Sequence, residues 1–357
     1  MRDTPESCTT LKQLSRGVLD RRQPCRPASD ASSTGRGCLS TGGKQDTATT
    51  APPLSYRRTV DRGDVHRWAV SEVFLTDYAD LSADTYLAAA QLPPAHYYFG
   101  DHTGPAADRP DSMLLLECCR QFATCIAHRG LGVARDSAFH VTEWTLALTA
   151  DTPLPPYYRP RELNVKAAVT RSQVRSGSVR AARYVLELSL DGAFLGRCDI
   201  SARYSPAAEA DLVRCYHRKS APPLSGSLPA VPPGTPVPPA EVARRDPANV
   251  ALADARHVAD GVSAVLAVPS GHRTHFDHPQ DHYTAMILME AARQAALLAA
   301  GTGVRITGYQ SRFARFAELD APVRVAAVRH TCDEVAVRFR QDGIVVSEIA
   351  VGVAEEH

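Results

Sequence analysis

The sequence predicts an α+β protein made of two tandem copies of one unit, a buried helix followed by an antiparallel sheet. The helical segment "MLLLECCRQ" returns as "MILMEAARQ", and the offset from Glu117 to Glu290 is 290 − 117 = 173 residues. Each copy then closes with alternating apolar and polar residues around an Asp-Gly turn, at Asp191 and at Asp342, which is typical of a β-hairpin. A repeated helix and hairpin indicate duplication of one unit.

Four segments are predicted from composition. Residues 1–55 are rich in Ser, Thr, Gly, Pro and Arg, without hydrophobic periodicity, and are expected to be disordered. Residues 56–215 and 242–357 contain the two copies, and residues 216–241 form a proline-rich linker. Because a lone unit leaves its helix and sheet edge uncovered, the copies are expected to pack as a pseudo-dimer with one continuous sheet. A homodimer of the chain stays open.

Charge and cysteine usage exclude several classes of protein. The formal net charge of +1 gives no electrostatic basis for binding nucleic acid or a membrane surface. No apolar run reaches the roughly eighteen residues that a transmembrane helix needs, and the charged first residues argue against a signal peptide. The nine cysteines contain no CxxC pair, so neither a zinc site nor a disulfide framework is predicted, and a reducing cytoplasm is expected.

The repeated helix is apolar nearly all round, which predicts that it is buried. Three polar residues nevertheless share one stripe in each copy, at positions i, i+3 and i+4: Glu117, Arg120 and Gln121 in the first, and Glu290, Arg293 and Gln294 in the second. An unpaired buried charge costs several kcal/mol, so two interpretations remain. The Glu and Arg neutralise each other and orient the helix, or the Glu is a working acid–base group.

An Asp-His pair precedes each helix and favours the second interpretation. Asp101-His102 and Asp277-His278 lie upstream, and the histidine precedes the helix glutamate by 15 residues in the first copy and 12 in the second. A histidine and a carboxylate above a helix N-terminus form an acid–base pair, and the free N–H groups there can stabilise an oxyanion.

These segments resemble the hotdog fold of acyl-thioester enzymes such as hydroxyacyl carrier-protein dehydratases. They resemble more closely the A-factor biosynthesis hotdog-repeat family, whose enzymes start γ-butyrolactone autoregulator synthesis in actinomycetes. The resemblance rests on "VHRWAVSEVFLTD", "AHYYFGDH", "MLLLECCRQ", "RRDPANVALAD", "HFDHPQDHYTAMILMEAARQ" and the hairpins after them, and it covers nearly all of residues 56–357. It implies a tandem (double) hotdog.

The resemblance also implies an acyltransferase. A β-ketoacyl group would move from a thioester of acyl carrier protein or CoA to the hydroxyl of dihydroxyacetone phosphate, with 4′-phosphopantetheine carried by the donor and no resident cofactor or metal. Glu290, its pKa raised by apolar surroundings and tempered by Arg293, would deprotonate the hydroxyl, and His278 would orient a reactant or protonate the thiolate. Arg293 and Arg120 would bind phosphate or hold the glutamates.

Glu117 and His102 are the first copy's counterparts of this catalytic pair. Five further residues are expected to bind substrate: Gln121, Gln294, Asp101, Asp277 and Trp144. Two other functions stay open on the same scaffold. One is a thioesterase or dehydratase, and the other is a non-catalytic sensor of an acyl chain or a butyrolactone.

Overall fold

The computed structural model describes residues 53–105, 107–149 and 160–355. The prediction that residues 1–55 are disordered therefore lies, apart from residues 53–55, outside the described residues. The described residues of both copies belong to one compact unit.

Both copies are built of strands around one long helix. The first contributes β1 (Leu75–Ser82), β2 (Thr85–Leu92), helix α1 (Ser112–Arg129), β3 (Ala138–Leu148), β4 (Arg161–Arg175), β5 (Ser178–Leu190) and β6 (Ala193–Ser205). Helix α2 (Ala207–Arg218) follows. The second contributes β7 (Leu252–Val258), β8 (Gly261–Leu266), β9 (His282–Tyr283), helix α3 (Ala285–Ala300), β10 (Val304–Phe313), β11 (Ala317–Glu318), β12 (Arg324–Arg329), β13 (Glu334–Gln341) and β14 (Ile344–Glu355). This confirms the α+β class.

Twelve of the described strands form one antiparallel sheet. Their order is β1-β2-β4-β5-β6-β3-β10-β14-β13-β12-β8-β7. The two copies meet where β3 pairs with β10, with Trp144 opposite Ser311 and Leu146 opposite Tyr309. One continuous sheet therefore runs through both copies, as the sequence predicts for a pseudo-dimer.

Helices α1 and α3 lie in the core and contact each other. Asp111 caps α1 through its Oδ1, which accepts a hydrogen bond from the Met113 N–H at 2.9 Å. Most apolar side chains of both helices are buried, because one side packs on the sheet and the other on the opposite copy. None of the described helices is long and apolar enough to cross a membrane.

The connection between the copies is packed against the second one. Helix α2 crosses the predicted boundary between residues 215 and 216. Val237, within the proline-rich segment, is buried, and its N–H donates to the Leu252 carbonyl at 3.1 Å. Two short 3-10 turns matter for the site, Arg62–Val65 and Pro239–Val242, because each precedes an arginine that points into the core.

Candidate active site

Glu290 is completely buried and lies between two arginines. Arg293, one turn along α3, donates from Nε to Oε2 at 2.9 Å and from Nη2 to Oε1 at 3.0 Å. Arg244, which follows the turn Pro239–Val242, places Nε 3.1 Å from Oε1 and Nη2 3.0 Å from Oε2. Gln294 donates to Oε1 at 2.6 Å. The carboxylate is thus saturated by protein donors.

Glu117 has the same surroundings in the first copy. Arg120 donates from Nε to Oε2 at 2.8 Å and from Nη2 to Oε1 at 2.7 Å. Arg67 contacts Oε1 with Nη2 at 2.7 Å and with Nε at 3.0 Å. Gln121 donates to the same oxygen at 2.7 Å. The duplication therefore preserved a glutamate, two arginines and a glutamine.

The expectation that apolar surroundings raise the pKa of Glu290 is wrong. Burial does raise it, but the charges of Arg244 and Arg293 and the hydrogen bonds to the carboxylate outweigh burial and lower the pKa. In the first copy burial is likewise outweighed by Arg120 and Arg67, which lower the pKa of Glu117 from 4.5 to about 2. Both carboxylates are held as anions, the opposite of a poised general base.

The two glutamines also have their hydrogen bonds within the protein. Gln294 donates to the Asn249 carbonyl at 2.8 Å as well as to Glu290, and its Oε1 accepts from the Ala251 N–H at 2.8 Å. Gln121 is engaged in the same way, with the Glu72 carbonyl and the Phe74 N–H as its partners. Each glutamine fixes the loop before the first strand of its copy, and its predicted role in substrate binding stays a prediction.

Asp101 and Asp277 bind backbone rather than leaving an open carboxylate for substrate. Asp101 is buried, and it accepts hydrogen bonds from the N–H groups of Arg245 and Asp246 in the second copy, at 3.2–3.3 Å. Asp277 accepts from the N–H groups of Trp68 and Ala69 in the first copy, at 2.6 and 2.9 Å. Each aspartate therefore ties its loop to the opposite copy.

The histidines follow these loops across the interface between the copies. The backbone of His102 forms an isolated antiparallel β-bridge with that of Arg244, and the neighbouring Thr103 N–H donates to the Ala243 carbonyl at 3.0 Å. His278 stacks on Trp68 with 6.1 Å between ring centroids. The pairing expected within one copy is thus exchanged: the first copy's His102 belongs with the Arg244–Glu290 pair, and His278 lies beside the first copy.

A cavity opens between the copies at this position. Its wall includes parts of α1, β3 and β6 from the first copy and of α3 and β10 from the second. The basic residues of the wall are His102, Arg109, Arg293 and Arg305. Its aliphatic residues include Leu115, Leu148, Leu195 and Leu297. A cavity with both kinds of wall suits a molecule that joins an anionic group to an aliphatic chain.

The start of α1 forms another part of the wall. Asp111 and Ser112 line the cavity; Asp111 Oδ2 lies 3.2 Å from Arg244 Nη1, and Ser112 Oγ lies 2.8 Å from the hydroxyl of Tyr309. Burial raises the pKa of Tyr309, so its hydroxyl keeps its proton. The positive end of a helix dipole therefore faces a site that already carries arginines.

Trp144 lies elsewhere. Its ring is fully buried in β3 and its Nε1 donates to Cys198 Sγ at 3.2 Å, so it packs in the core, and Leu148 of the same strand lines the cavity instead. Sequence reasoning missed the second arginine of each pair. A signal existed, because Val-x-Arg occurs at Val65–Arg67 and again at Val242–Arg244, and both arginines lie in segments that carry the family resemblance.

Comparison with known proteins agrees with the duplicated plan. The family model of the A-factor biosynthesis hotdog domain matches residues 48–206 and 229–350. A 2-oxo-3-(phosphooxy)propyl 3-oxoalkanoate synthase of Streptomyces virginiae is 32% identical over 279 residues, 75% of this chain and 87% of that protein. The synthase of the same name from Streptomyces coelicolor is 29% identical over 265 residues, 74% of this chain and 80% of that one.

Among solved structures, a 12:0-ACP thioesterase from Umbellularia californica aligns with 78% of this chain and 100% of its own, with a TM-score of 0.47 and 13% identity. The family model matches each copy separately, on both sides of the linker, and its two matches contain both helix glutamates and all four arginines that hold them. The chain therefore belongs to the A-factor biosynthesis hotdog domain family and is a tandem hotdog.

Proposed function

We propose that this protein is an acyltransferase that moves a β-ketoacyl group from a thioester of acyl carrier protein or CoA to the hydroxyl of dihydroxyacetone phosphate. The name shared by the Streptomyces relatives describes the product of such a transfer, a 3-oxoalkanoate ester of a phosphorylated oxopropyl group. The product would lead to γ-butyrolactone autoregulators, and the reaction would take place in the cytoplasm.

The observation that carries the proposal is the mixed wall of the cavity between the copies. Three arginines, Arg109, Arg293 and Arg305, line it and can bind a phosphate dianion. The leucines of the same wall can hold an aliphatic chain. Both substrates of the proposed reaction are thus matched by groups of one cavity.

Arg293 is the arginine with the best-defined position. Glu290 binds its Nε and Nη2, which leaves the third nitrogen, Nη1, without a hydrogen-bond partner among the described residues. Because Arg293 lines the cavity, this nitrogen is available to a phosphate oxygen. In the proposal Glu290 positions Arg293 and Arg244 and does not itself take the substrate proton, since its pKa is lowered.

His102 is the acid–base group of the proposal. Its ring nitrogens face the carbonyls of Phe99 and Arg109, at 3.2 and 3.0 Å, so the ring has a defined orientation at the cavity wall. In the proposal the substrate hydroxyl takes the place of the Arg109 carbonyl at Nε2, and His102 accepts the hydroxyl proton there as that oxygen bonds to the thioester carbon. The C–S bond then breaks, the proton passes to the thiolate, and the ester and free thiol leave.

The positive end of the α1 dipole would stabilise the negative oxygen of the tetrahedral intermediate, whereas the N–H groups of Met113, Leu114 and Leu115 are already bonded to Asp111. The 4′-phosphopantetheine arm belongs to the acyl donor and brings the thioester to the cavity. The transfer therefore needs no further group from the protein.

The test is to incubate the protein with a β-ketoacyl thioester and dihydroxyacetone phosphate and to identify products by mass. The phosphorylated ester is expected, and His102→Asn is expected to lower turnover by a factor on the order of a hundred or more. His278→Asn is the matched control and should keep most of the activity. Release of free β-keto acid would instead indicate a thioesterase. Loss of water from a hydroxyacyl thioester would indicate a dehydratase, and binding of an acyl chain or a butyrolactone without conversion would indicate a sensor.

A further inference from the structure

The duplication creates two related positions beside the helix glutamates, and the residues at these positions differ. Arg67 and Arg244 each follow a residue in the left-handed conformation, His66 at φ 51° and Ala243 at φ 52°. Both of these residues end a 3-10 turn, and both precede the arginine that binds the helix glutamate. His66 and Ala243 are therefore structural equivalents.

Ala243 and His66 face the same kinds of partner. Ala243 lines the cavity together with Arg293 and His102. His66 interacts electrostatically with Arg120 and His278, which are the equivalents of Arg293 and His102 in the other copy. The position occupied by a methyl group at the Glu290 site is thus occupied by an imidazole at the Glu117 site.

The imidazole of His66 is anchored where it lies. Its Nε2 is 2.8 Å from Nε2 of His128, and its ring packs edge-on against Phe139 at 4.8 Å between centroids. His128 Nδ1 lies 2.8 Å from the Val133 carbonyl, which can only accept. His128 therefore donates from Nδ1 and accepts at Nε2, and His66 is the donor of the pair.

The residue after each arginine also differs between the copies. Trp68 stacks on His278, whereas its equivalent Arg245 extends over the surface and donates to the Gly100 carbonyl at 3.3 Å. The imidazole of His66 thus lies beside Arg120, while its counterpart Ala243 leaves the cavity beside Arg293 open.

From this difference we infer that the site around Glu290 is the one that takes substrate and that His66 closes its counterpart around Glu117. Ala243 is then the residue that determines access: any larger side chain there occupies the volume of the substrate. The identity of the substrate rests on the proposed function. The conclusion about which site is open rests only on the comparison of the two sites.

The experiment copies the closed site into the open one. Ala243→His is tolerated by the backbone, because His66 already adopts the same φ and histidine is among the residues enriched in that conformation. It should lower kcat/KM for acyl transfer by a factor on the order of a hundred and abolish binding of inorganic phosphate, followed by phosphorus NMR. Ala243→Asn, with a smaller side chain, should show a partial loss and serves if the histidine variant does not fold.

His66→Ala is the matched control and should keep turnover and phosphate binding at the level of the unmodified protein. A folded Ala243→His protein with unchanged turnover and phosphate affinity would overturn the inference, and so would a hundredfold loss in His66→Ala. A third outcome separates the two ideas: the protein binds phosphate, Ala243→His abolishes this binding, and the phosphorylated ester is never formed. That outcome would keep the inference and reject the proposed reaction.

Discussion

Arg244 and Glu290 form an ion pair in which both side chains are completely buried, with Nη2 3.0 Å from Oε2 and Nε 3.1 Å from Oε1. The same guanidinium donates from Nη1 to the Tyr98 carbonyl at 2.7 Å, in the opposite copy. Arg67 repeats this bond with the Thr274 carbonyl at 3.0 Å. Glu290 therefore orients the cavity arginine Arg293, and both helix glutamates hold an arginine that joins the copies.

Glu290→Gln is expected to destabilise the protein by about 3–5 kcal/mol, because two buried guanidinium groups lose their counter-charge. Phosphate binding should weaken as well, since Arg293 is no longer held. The measurements are denaturant unfolding and acyl transfer, both made on the same preparation of each variant. Glu348→Gln is the control: Glu348 binds Arg338 at 2.9 Å in a half-buried pair and should change stability by less than about 1 kcal/mol.

A different result would restore the role of Glu290 as a base. If Glu290→Gln were as stable as the unmodified protein and lost a hundredfold or more in turnover, the carboxylate would be catalytic and the positioning role would be wrong. Its lowered pKa argues against that outcome.

Acid is expected to weaken the fold through Glu117. Its pKa falls from 4.5 to about 2 on folding, because Arg120 and Arg67 outweigh the effect of burial. A depressed folded pKa contributes stability above the unfolded value, and this contribution is lost as pH falls from 4.5 towards 2. The free energy of unfolding should drop in that window by up to about 1.4 kcal/mol per pH unit for this one group.

The slope, measured by denaturant unfolding at several pH values, should be shallower in Glu117→Gln, which has no carboxylate to protonate. An identical slope in the two proteins would show that other carboxylates dominate acid unfolding.

Arg293→Lys tests phosphate binding directly. Lysine keeps the charge but loses the planar fork that lets Arg293 bind Glu290 and a phosphate oxygen together. The KM for dihydroxyacetone phosphate should rise by a factor on the order of ten to a hundred, which corresponds to the roughly 1.5–3 kcal/mol of a charge-assisted hydrogen bond. The KM for the thioester should change little. Arg120→Lys, in the closed site, should leave both constants nearly unchanged, and an equal effect of the two variants would contradict the assignment.

The sequence predicted those features that depend on local pattern. Alternating residues around Asp191 and Asp342 became the hairpins β5–β6 and β13–β14. The apolar repeat around Glu117 and Glu290 became the two core helices, because a helix without a polar face can only be buried.

The pairing of loops was not predictable in the same way. His278 precedes Glu290 by 12 residues, which suggests contact within one copy, but the loop that carries Asp277 and His278 crosses to the opposite copy. The arginines at positions 67 and 244 were missed because their distance along the chain from the glutamates gives no periodic signal. The buried Arg244 and Arg293 then lowered the pKa of Glu290, where apolar surroundings alone would have raised it.

Gly308 tests whether the junction of the two copies needs close approach of β3 and β10. A Cβ built at this position would lie 2.2 Å from the Leu146 carbonyl oxygen, and the obstacle is backbone, which cannot rotate away. Gly308→Ala should therefore push the strands apart and lower the free energy of unfolding by about 1–3 kcal/mol. Gly271→Ala is the control, because a Cβ added there would have no atom within 4 Å.

Because Leu148 and Ile306 flank this junction and line the cavity, turnover of Gly308→Ala should also fall more than its folded fraction does. Unchanged stability would mean that the sheet absorbs the methyl group and that the junction is less tightly constrained than the geometry indicates.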